Sequence, residues 1–371
     1  MKSLKTSSSY VILLFINFLF CYKYLSRYTE YGLLVSIALL GIQVLLVSYN
    51  QWIEIRFEKV KLFGYGFIVL LTGFVLLSHY KIDVESLNVD RWSVISSFLM
   101  EAFQGNYPYY AKSHVGNHPG PMPVYFIIAM PFYLLGELSI LSALGYVIFI
   151  GLLIRQIQSN NKSQILLFLL ASSLFVLWEI ATRSNVFTYS LIILFSLTFF
   201  LSIDKNTYNF KFFLSAILTG LLLSTRSVFI LTYVIVFCST LKNNEIKFKS
   251  LLLYAFTALV AFSMSFLPLL WYFPEDFFLV NPFIIQSTVL IPQTHIVLFV
   301  IISGVLLFFV KNDLDKIFYG GLILFISILI YFVYHVFNIG IYEAYVNNVI
   351  DISYFLFSAP FLFYYLMKSL K

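Results

Sequence analysis

"PMPVYFIIAMPFYLLGELSILSALGYVIFIGLLIR", Pro121 to Arg155, contains a single acidic residue, Glu137, before its closing arginine. As one straight helix it would measure about 52 Å, against about 30 Å of hydrocarbon in a bilayer. The stretch therefore reads as membrane-embedded chain that has to break, and Pro131 and the Gly136–Glu137 pair mark the place. The rest of the chain has the same character. Of its 371 residues 61% are hydrophobic, 20% aromatic and only 11% charged, where a soluble domain carries about 25% charge. Further apolar runs lie at Tyr10–Tyr22, Tyr31–Val47, Leu62–Ser78, Ile165–Trp178, Val186–Leu201, Phe212–Leu223, Val228–Thr240, Leu251–Tyr272, His295–Val310, Ile317–Phe337 and Ile352–Met367. They predict an all-α, polytopic transmembrane helical bundle of about 11–13 spans, forming one integral-membrane domain over residues 1–371. Lys2 and Lys5 precede the first run in the manner of a signal peptide, but no small-residue cleavage site follows, so that run reads as the first span.

Charge orients the bundle. With the N-terminus inside and one crossing per run, only seven of the 23 basic residues fall outside (Lys23, Arg27, Lys81, Arg91, Lys112, Arg183, Arg226). That asymmetry follows the positive-inside rule and places both termini in the cytoplasm, in a multi-pass protein of the cytoplasmic membrane with lipid as its surroundings. The net charge of +6 does not point to nucleic acid, because the basic residues sit at span ends and form no stripe. Cys21 and Cys238 lie in apolar runs far apart in sequence and read as packing residues, with no disulfide framework or thiolate metal site.

Three loops longer than a turn then face outward: 81–120, 273–294 and 338–351. The first, about 40 residues, is too long for a simple connection and carries the polar chemistry. Within it "VDRWSVISSFLMEAF" spaces Trp92, Ile95, Phe98, Leu99 and Phe103 as the apolar face of an interfacial helix. Asp90 opens that helix, where a carboxylate can cap free N–H groups. Downstream, "YAKSHVGNHPGPMPVYF" (110–126) gathers Lys112, His114 and His118 as donors for an anion or substrate. His114 and His118 do not read as a zinc site, since Gly116, Pro119 and Gly120 oppose a helix and no HExxH glutamate intervenes. No G-x-S-x-G elbow supports a hydrolase. Arg183 in "ATRSNVF" and Arg226 in "LLLSTRSVF" stand at outer span ends, where a guanidinium pairs bidentately with phosphate or snorkels to head groups. "WYFPEDFFLVNPFIIQST" (271–288) runs along the outer interface and offers Asn281 and Gln286 to sugar hydroxyls, while Glu343 and Asp351 belong to the last outer loop.

The order of these features resembles the first extracytoplasmic loop of the GT-C superfamily of integral-membrane glycosyltransferases, which use polyprenyl-phosphate sugars. In that family an acidic residue after the first core span is followed by a helix, a G-x-x-P-Y-like turn and an H-P-P-like lead into the next span. Asp90 matches the acid; Gly105, Tyr107, Pro108 and Tyr109 match the turn; His118, Pro119, Pro121 and Tyr125 match the lead-in. The match covers about 40 residues. Two positions depart from the pattern: Asp90 is followed by Arg91 where many members carry a second acid, and the double proline is spaced by Gly120. The first departure weakens a metal-dependent variant, and no cofactor is implied. The resemblance implies inverting transfer of a sugar from a polyprenyl-phosphate donor to a lipid, glycan or protein acceptor on the outer face of a bacterial membrane. Asp90 would be the general base, with Arg91, Tyr109, Lys112, His114, His118, Arg183, Arg226, Asn281 and Gln286 as binding residues.

Two other functions fit the composition. A lipid-linked saccharide transporter or flippase would show inverted repeats or broken helices with midplane charge. Here the ionisable residues fall at span ends apart from Glu137, which argues against it. A saccharide polymerase or ligase would also use outer arginines and a large outer loop.

Overall fold

A computed structural model describes residues 2–49, 55–160, 163–289, 294–346 and 350–370. Among them every regular element is helical. In chain order the α-helices are α1 (Lys2–Leu25), α2 (Gly32–Ser48), α3 (Phe57–Lys81), α4 (Arg91–Phe103), α5 (Pro123–Leu134) and α6 (Ser139–Ser159). There follow α7 (Gln164–Ala171), α8 (Leu174–Ala181), α9 (Val186–Ser202), α10 (Phe210–Leu223), α11 (Ile230–Lys242) and α12 (Phe248–Met264). The last six are α13 (Leu267–Tyr272), α14 (Pro274–Leu279), α15 (Pro282–Val289), α16 (Thr294–Leu307), α17 (Asp313–Ile339) and α18 (Ala359–Ser369).

Among the described residues four helices are long and apolar enough to cross a membrane: Ser3–Leu25, Phe57–Lys81, Ser139–Gln158 and Asp313–Ile339. α7 and α8 meet the same test together as a pair bent by 51°, the shape of a broken span or a re-entrant loop. The remaining apolar helices, such as α2, α9, α10 and α12, are 10–17 residues long. The expected dozen spans thus resolve into four to five helices of full spanning length plus shorter apolar ones, because local chemistry cuts the runs. The 121–155 run breaks at Gly136, whose φ of +82° suits glycine alone, while Pro131 is absorbed inside α5. The 251–272 run breaks at Ser265–Phe266, just ahead of Pro268. The last run is a 3-10 turn over Ile352–Phe357 followed by α18, with Pro360 in the first turn of that helix.

The pattern of burial is that of a membrane protein. α2 buries Gly32, Ser36 and Gln43 and exposes Leu33, Leu34, Ile37, Ile42 and Leu45. In water that inversion would be costly, whereas against lipid the leucines face their own kind and small or polar residues mediate helix contact. α3 likewise exposes Leu62, Val69, Leu70, Leu76 and Leu77 and turns Gly64 and Ser78 inward.

The chain divides into two compact units. The first comprises 1–83, 139–191 and 325–371. Its polar stitching centres on the α7–α8 break, where the backbone would otherwise leave groups unpaired in an apolar interior. Asn17 on α1 accepts the Leu174 N–H at 2.8 Å and donates to Gln43 of α2 at 3.0 Å. Gln43 in turn donates to the Ser172 hydroxyl at 2.9 Å. A Cβ on Gly145 of α6 would fall within 2.1 Å of Thr188 Oγ1 on α9, so only glycine permits that approach.

The second unit comprises 84–138 and 192–324. α10 and α12 form its tightest pair: a Cβ at Gly220 would lie 2.0 Å from the Ala258 carbonyl oxygen. The buried Tyr254 hydroxyl joins them through Ser215 and Thr219 at 2.9 and 2.8 Å. At the loop ends of α9, α11 and α17 the buried Lys316 ammonium meets Glu245 and Asp313. The 84–120 loop belongs to this unit, and α4 anchors it by stacking Phe98 on Phe126 of α5, with ring centroids 3.6 Å apart and planes within 6°.

Candidate active site

The sequence offers Asp90 as a helix cap, and the structure gives its carboxylate another task. Asp90 stands at the N-cap position of α4, yet its side chain makes no capping bond. Its Oδ2 instead accepts from Ser113 Oγ at 3.0 Å and from Asn117 Nδ2 at 2.8 Å. Both donors belong to one tight turn. Gly116 N–H donates to the Ser113 carbonyl at 2.8 Å, Ser113 N–H to the Asn117 carbonyl at 2.9 Å, and Asn117 N–H to Ser113 Oγ at 3.1 Å. Gly116 takes a φ of +88°, which explains a glycine there. Among the described residues every hydrogen bond to the Asp90 carboxylate goes to Oδ2. The residue is half-buried, and Oδ1 receives no hydrogen bond from them.

The same turn is tied down on both flanks of Asp90 by His114. Its Nε2 lies 2.8 Å from the Leu87 carbonyl oxygen and its Nδ1 2.7 Å from Ser93 Oγ. A carbonyl can only accept, so Nε2 donates its proton to Leu87, while Nδ1 pairs with the Ser93 hydroxyl. Trp92 stacks on the imidazole at 5.8 Å and holds the Val84 carbonyl through its indole N–H at 2.9 Å. His114 is thus a fastener of the loop. His118 is placed differently. Its Nδ1 faces two carbonyl oxygens, Tyr109 at 3.2 Å and Ala111 at 3.1 Å, so it donates there and leaves Nε2 on the opposite edge of the ring. Lys112 is exposed beside it in sequence.

The wall behind this loop comes from three segments. The lead into α5 pairs its Met122 and Val124 N–H groups with the Thr225 and Ser224 carbonyls at 3.1 and 3.0 Å. That pairing brings Arg226 over the Tyr125 ring, 5.1 Å from its centroid and half-exposed. Gln286 bridges the two, donating to the Gly120 carbonyl at 2.6 Å and accepting from Ser227 Oγ. The α14–α15 segment is joined to the 107–110 turn by Tyr107, which donates to the Val280 carbonyl, and by Tyr110, which donates to Asp276 at 2.9 Å. The bond to Asp276 pushes the Tyr110 phenol up from its ordinary range, since ionisation would break it.

The expected binding residues therefore divide. Asp90, Lys112, His114, His118, Arg226 and Gln286 lie on one unit, in the loop or on its wall. Tyr109, on the same unit, is sealed: it has no exposed surface, burial pushes its phenol well up, and its hydroxyl donates to the Pro121 carbonyl at 3.0 Å. Arg91 is buried at 7% exposure in the first turn of α4. Asn281 uses its amide as a cap, accepting from Phe283 and Ile284 N–H at 3.1 and 3.0 Å and donating to the Phe277 carbonyl at 2.8 Å. All three are buried, and the Tyr109 hydroxyl and the Asn281 amide are engaged within the fold. Of the last outer loop, residues 347–349 lie outside the described residues.

Arg183 belongs to the other unit and is 3% exposed. It ends α8 with a φ of +54°, and its N–H and that of Ser184 close back on the Ile180 and Glu179 carbonyls, a Schellman ending that glycine usually supplies. Its guanidinium donates to the Ala181 and Ser78 carbonyls at 2.8 and 2.9 Å. Beside it lies a residue that the sequence hid at a span end. Glu179 is wholly buried. It accepts from Tyr146 Oη at 2.6 Å, Ser184 Oγ at 3.1 Å, Val186 N–H at 2.8 Å and Phe187 N–H at 3.3 Å. Its carboxylate thereby closes the N-terminus of α9.

Only the spacing of Asp90, Ser113 and Asn117 could have exposed the loop arrangement, and nothing in a single sequence links positions 23 and 27 residues apart. The chain matches no family model, no curated protein and no solved structure.

Proposed function

We propose that the chain is a membrane glycosyltransferase of the GT-C type, moving a sugar from a polyprenyl-phosphate donor to a hydroxyl acceptor with inversion. The observation that supports it best is the half-held carboxylate of Asp90: Oδ2 fixed by two neutral donors, Oδ1 open beside a loop rich in donors. In this reading Oδ1 takes the acceptor's hydroxyl proton while the acceptor oxygen attacks the anomeric carbon. The bond from that carbon to the phosphate oxygen breaks, and polyprenyl phosphate leaves with its electron pair. One positioned base of this kind contributes about 10²–10⁴ in rate. Lys112 and Arg226, on the same unit, are the cations offered to the leaving phosphate, and His118 Nε2 accepts from a sugar or acceptor hydroxyl. The active face is taken as extracytoplasmic, with both termini in the cytoplasm.

A second reading has its own observation. The bent α7–α8 pair and the buried Glu179 are the broken helix and intramembrane charge expected of a lipid-linked saccharide transporter. One experiment separates the two. The purified protein is reconstituted into liposomes with polyprenyl-phosphate sugars and short glycan or lipid acceptors, and both transfer and transbilayer movement are followed. Transfer that disappears in Asp90→Asn supports the transferase. Movement without transfer, sensitive to Glu179→Gln and indifferent to Asp90→Asn, replaces it with the transporter.

A further inference from the structure

We infer that the 113–117 turn is a positioning device that selects which oxygen of Asp90 reacts, with Asn117 and Ser113 as its two holding residues. The inference rests on the reading of Asp90 as the base and adds what that reading leaves open. An unrestrained aspartate rotates freely about its terminal torsion and presents either oxygen to a substrate. Here both donors converge on Oδ2, at 2.8 Å from Asn117 Nδ2 and 3.0 Å from Ser113 Oγ. The two oxygens are made inequivalent.

The turn cannot drift, because it is closed by its own hydrogen bonds and by Gly116 in the left-handed region. His114, within it, is fastened to Leu87 on one side of Asp90 and to Ser93 on the other. Ser113 has the more constrained part: its single hydroxyl proton points at Asp90 because its oxygen already accepts the Asn117 N–H. Asn117 is exposed and Asp90 only half-buried, a poor place for a bond that merely holds the fold together. An interior staple would be expected to fill both carboxylate oxygens, as four donors do for Glu179. Losing the two donors would let the carboxylate rotate and make its two oxygens equivalent again.

The test uses the full chain in proteoliposomes, as wild type, Ser113→Ala, Asn117→Ala, the double variant and Asp90→Asn, with thermal unfolding in detergent as a check on folding. In the variants kcat is expected to fall about 10- to 100-fold, the scale of a misplaced reacting group, with KM for the donor within about twofold of wild type. Labelling of Asp90 by a water-soluble carbodiimide and an amine nucleophile, located by mass spectrometry, reads the carboxyl group without any turnover. A carboxyl released from both donors can present either oxygen to the reagent, so labelling at a fixed, mildly acidic pH is expected to quicken several-fold in the double variant. Asn117→Ser, which keeps a donor, is expected to recover part of kcat. A wild type that transfers sugar alongside a folded double variant with unchanged kcat and unchanged labelling overturns the positioning role and leaves the base assignment standing. A wild type that transfers nothing, or an active Asp90→Asn, overturns the base assignment, and with it the positioning role. If the double variant does not fold, the two single variants, each retaining one bond to Oδ2, decide by the same two readouts.

Discussion

Asp90 and Glu179 are two carboxylates at helix ends that are engaged in different ways. Asp90 leads into α4 without capping it, half-buried, with one oxygen engaged by two side chains of a surface turn. Glu179 sits in the last turn of α8, wholly buried, with both oxygens filled by Tyr146, Ser184 and the first two N–H groups of α9. The difference lies in what each would lose. An interior carboxylate survives only if every lone pair is answered, and once all are answered it has nothing left to offer a substrate. A boundary carboxylate can leave an oxygen open because water fills it until a substrate arrives. Under the proposed function, completeness of the donor set, more than residue type, separates a building group from a reacting one.

The largest effect that would break this comparison is functional. Asp90→Asn keeps shape and both hydrogen-bonding partners within reach, so its unfolding temperature is expected to match wild type while transfer falls by about 10²–10⁴. Full activity in that variant, measured in the reconstituted assay, would put Asp90 in the same class as Glu179. Next is Glu179→Ala, which strands one phenol, one hydroxyl and two backbone N–H groups in the interior. A loss of about 3 kcal/mol or more is expected, seen as a lowered unfolding temperature or loss of folded protein in detergent. Transfer per folded molecule should persist. Should Glu179→Ala fold normally and yet abolish activity, Glu179 is a reacting group and the transporter reading gains. Tyr146→Phe is smaller, removing one bond to a carboxylate at a cost of about 1.5–3 kcal/mol, with its stacking on Phe187 retained.

Much of this architecture is legible in the sequence because lipid imposes a coarse rule. Apolar runs became helices, the 121–155 stretch broke at Gly136, and Trp92 to Phe103 formed α4. Span length was not legible, because a run of leucines and phenylalanines conceals a break such as Ser172–Ser173 that only distant partners, Asn17 and Gln43, make tolerable. Binding roles divided for a related reason. Tyr109, Arg91 and Asn281 have the chemistry of ligand contacts, but burial and local hydrogen bonds decide their use, and those depend on tertiary neighbours. Ser113 and Asn117 are the converse, unremarkable polar loop residues that the fold brings onto the Asp90 carboxylate. Glu179 sits at the end of an apolar run and reads as a boundary charge until the Schellman turn at Arg183 folds α9 back over it.

A third carboxylate sharpens the comparison at the smallest scale. Asp204, in the loop after α9, is exposed like a reacting group but engaged at both oxygens like a building one: Thr207 Oγ1 donates to Oδ2, and the Asn206 N–H to Oδ1 at 3.0 Å. Those bonds, the Thr207 hydroxyl first, hold its carboxyl below the usual range. A depressed folded value means the unfolded chain binds the proton more readily, so the contribution to stability is complete above the unfolded value of about 4 and is lost as pH falls through the folded one. Thr207→Val removes the main donor and brings the two values together, so it should lower stability slightly at pH 9, where the contribution is complete, and leave it unchanged in acid below the folded value, flattening the acid limb. Because solvent screens an exposed group, the loss should be a small fraction of that produced by any change at Glu179. Acid titrations of Thr207→Val and Asp204→Asn side by side provide the check. If either lowers stability at pH 9 as far as Tyr146→Phe does, a filled donor set matters regardless of burial, and the contrast between Asp90 and Glu179 must rest on their open and closed oxygens alone.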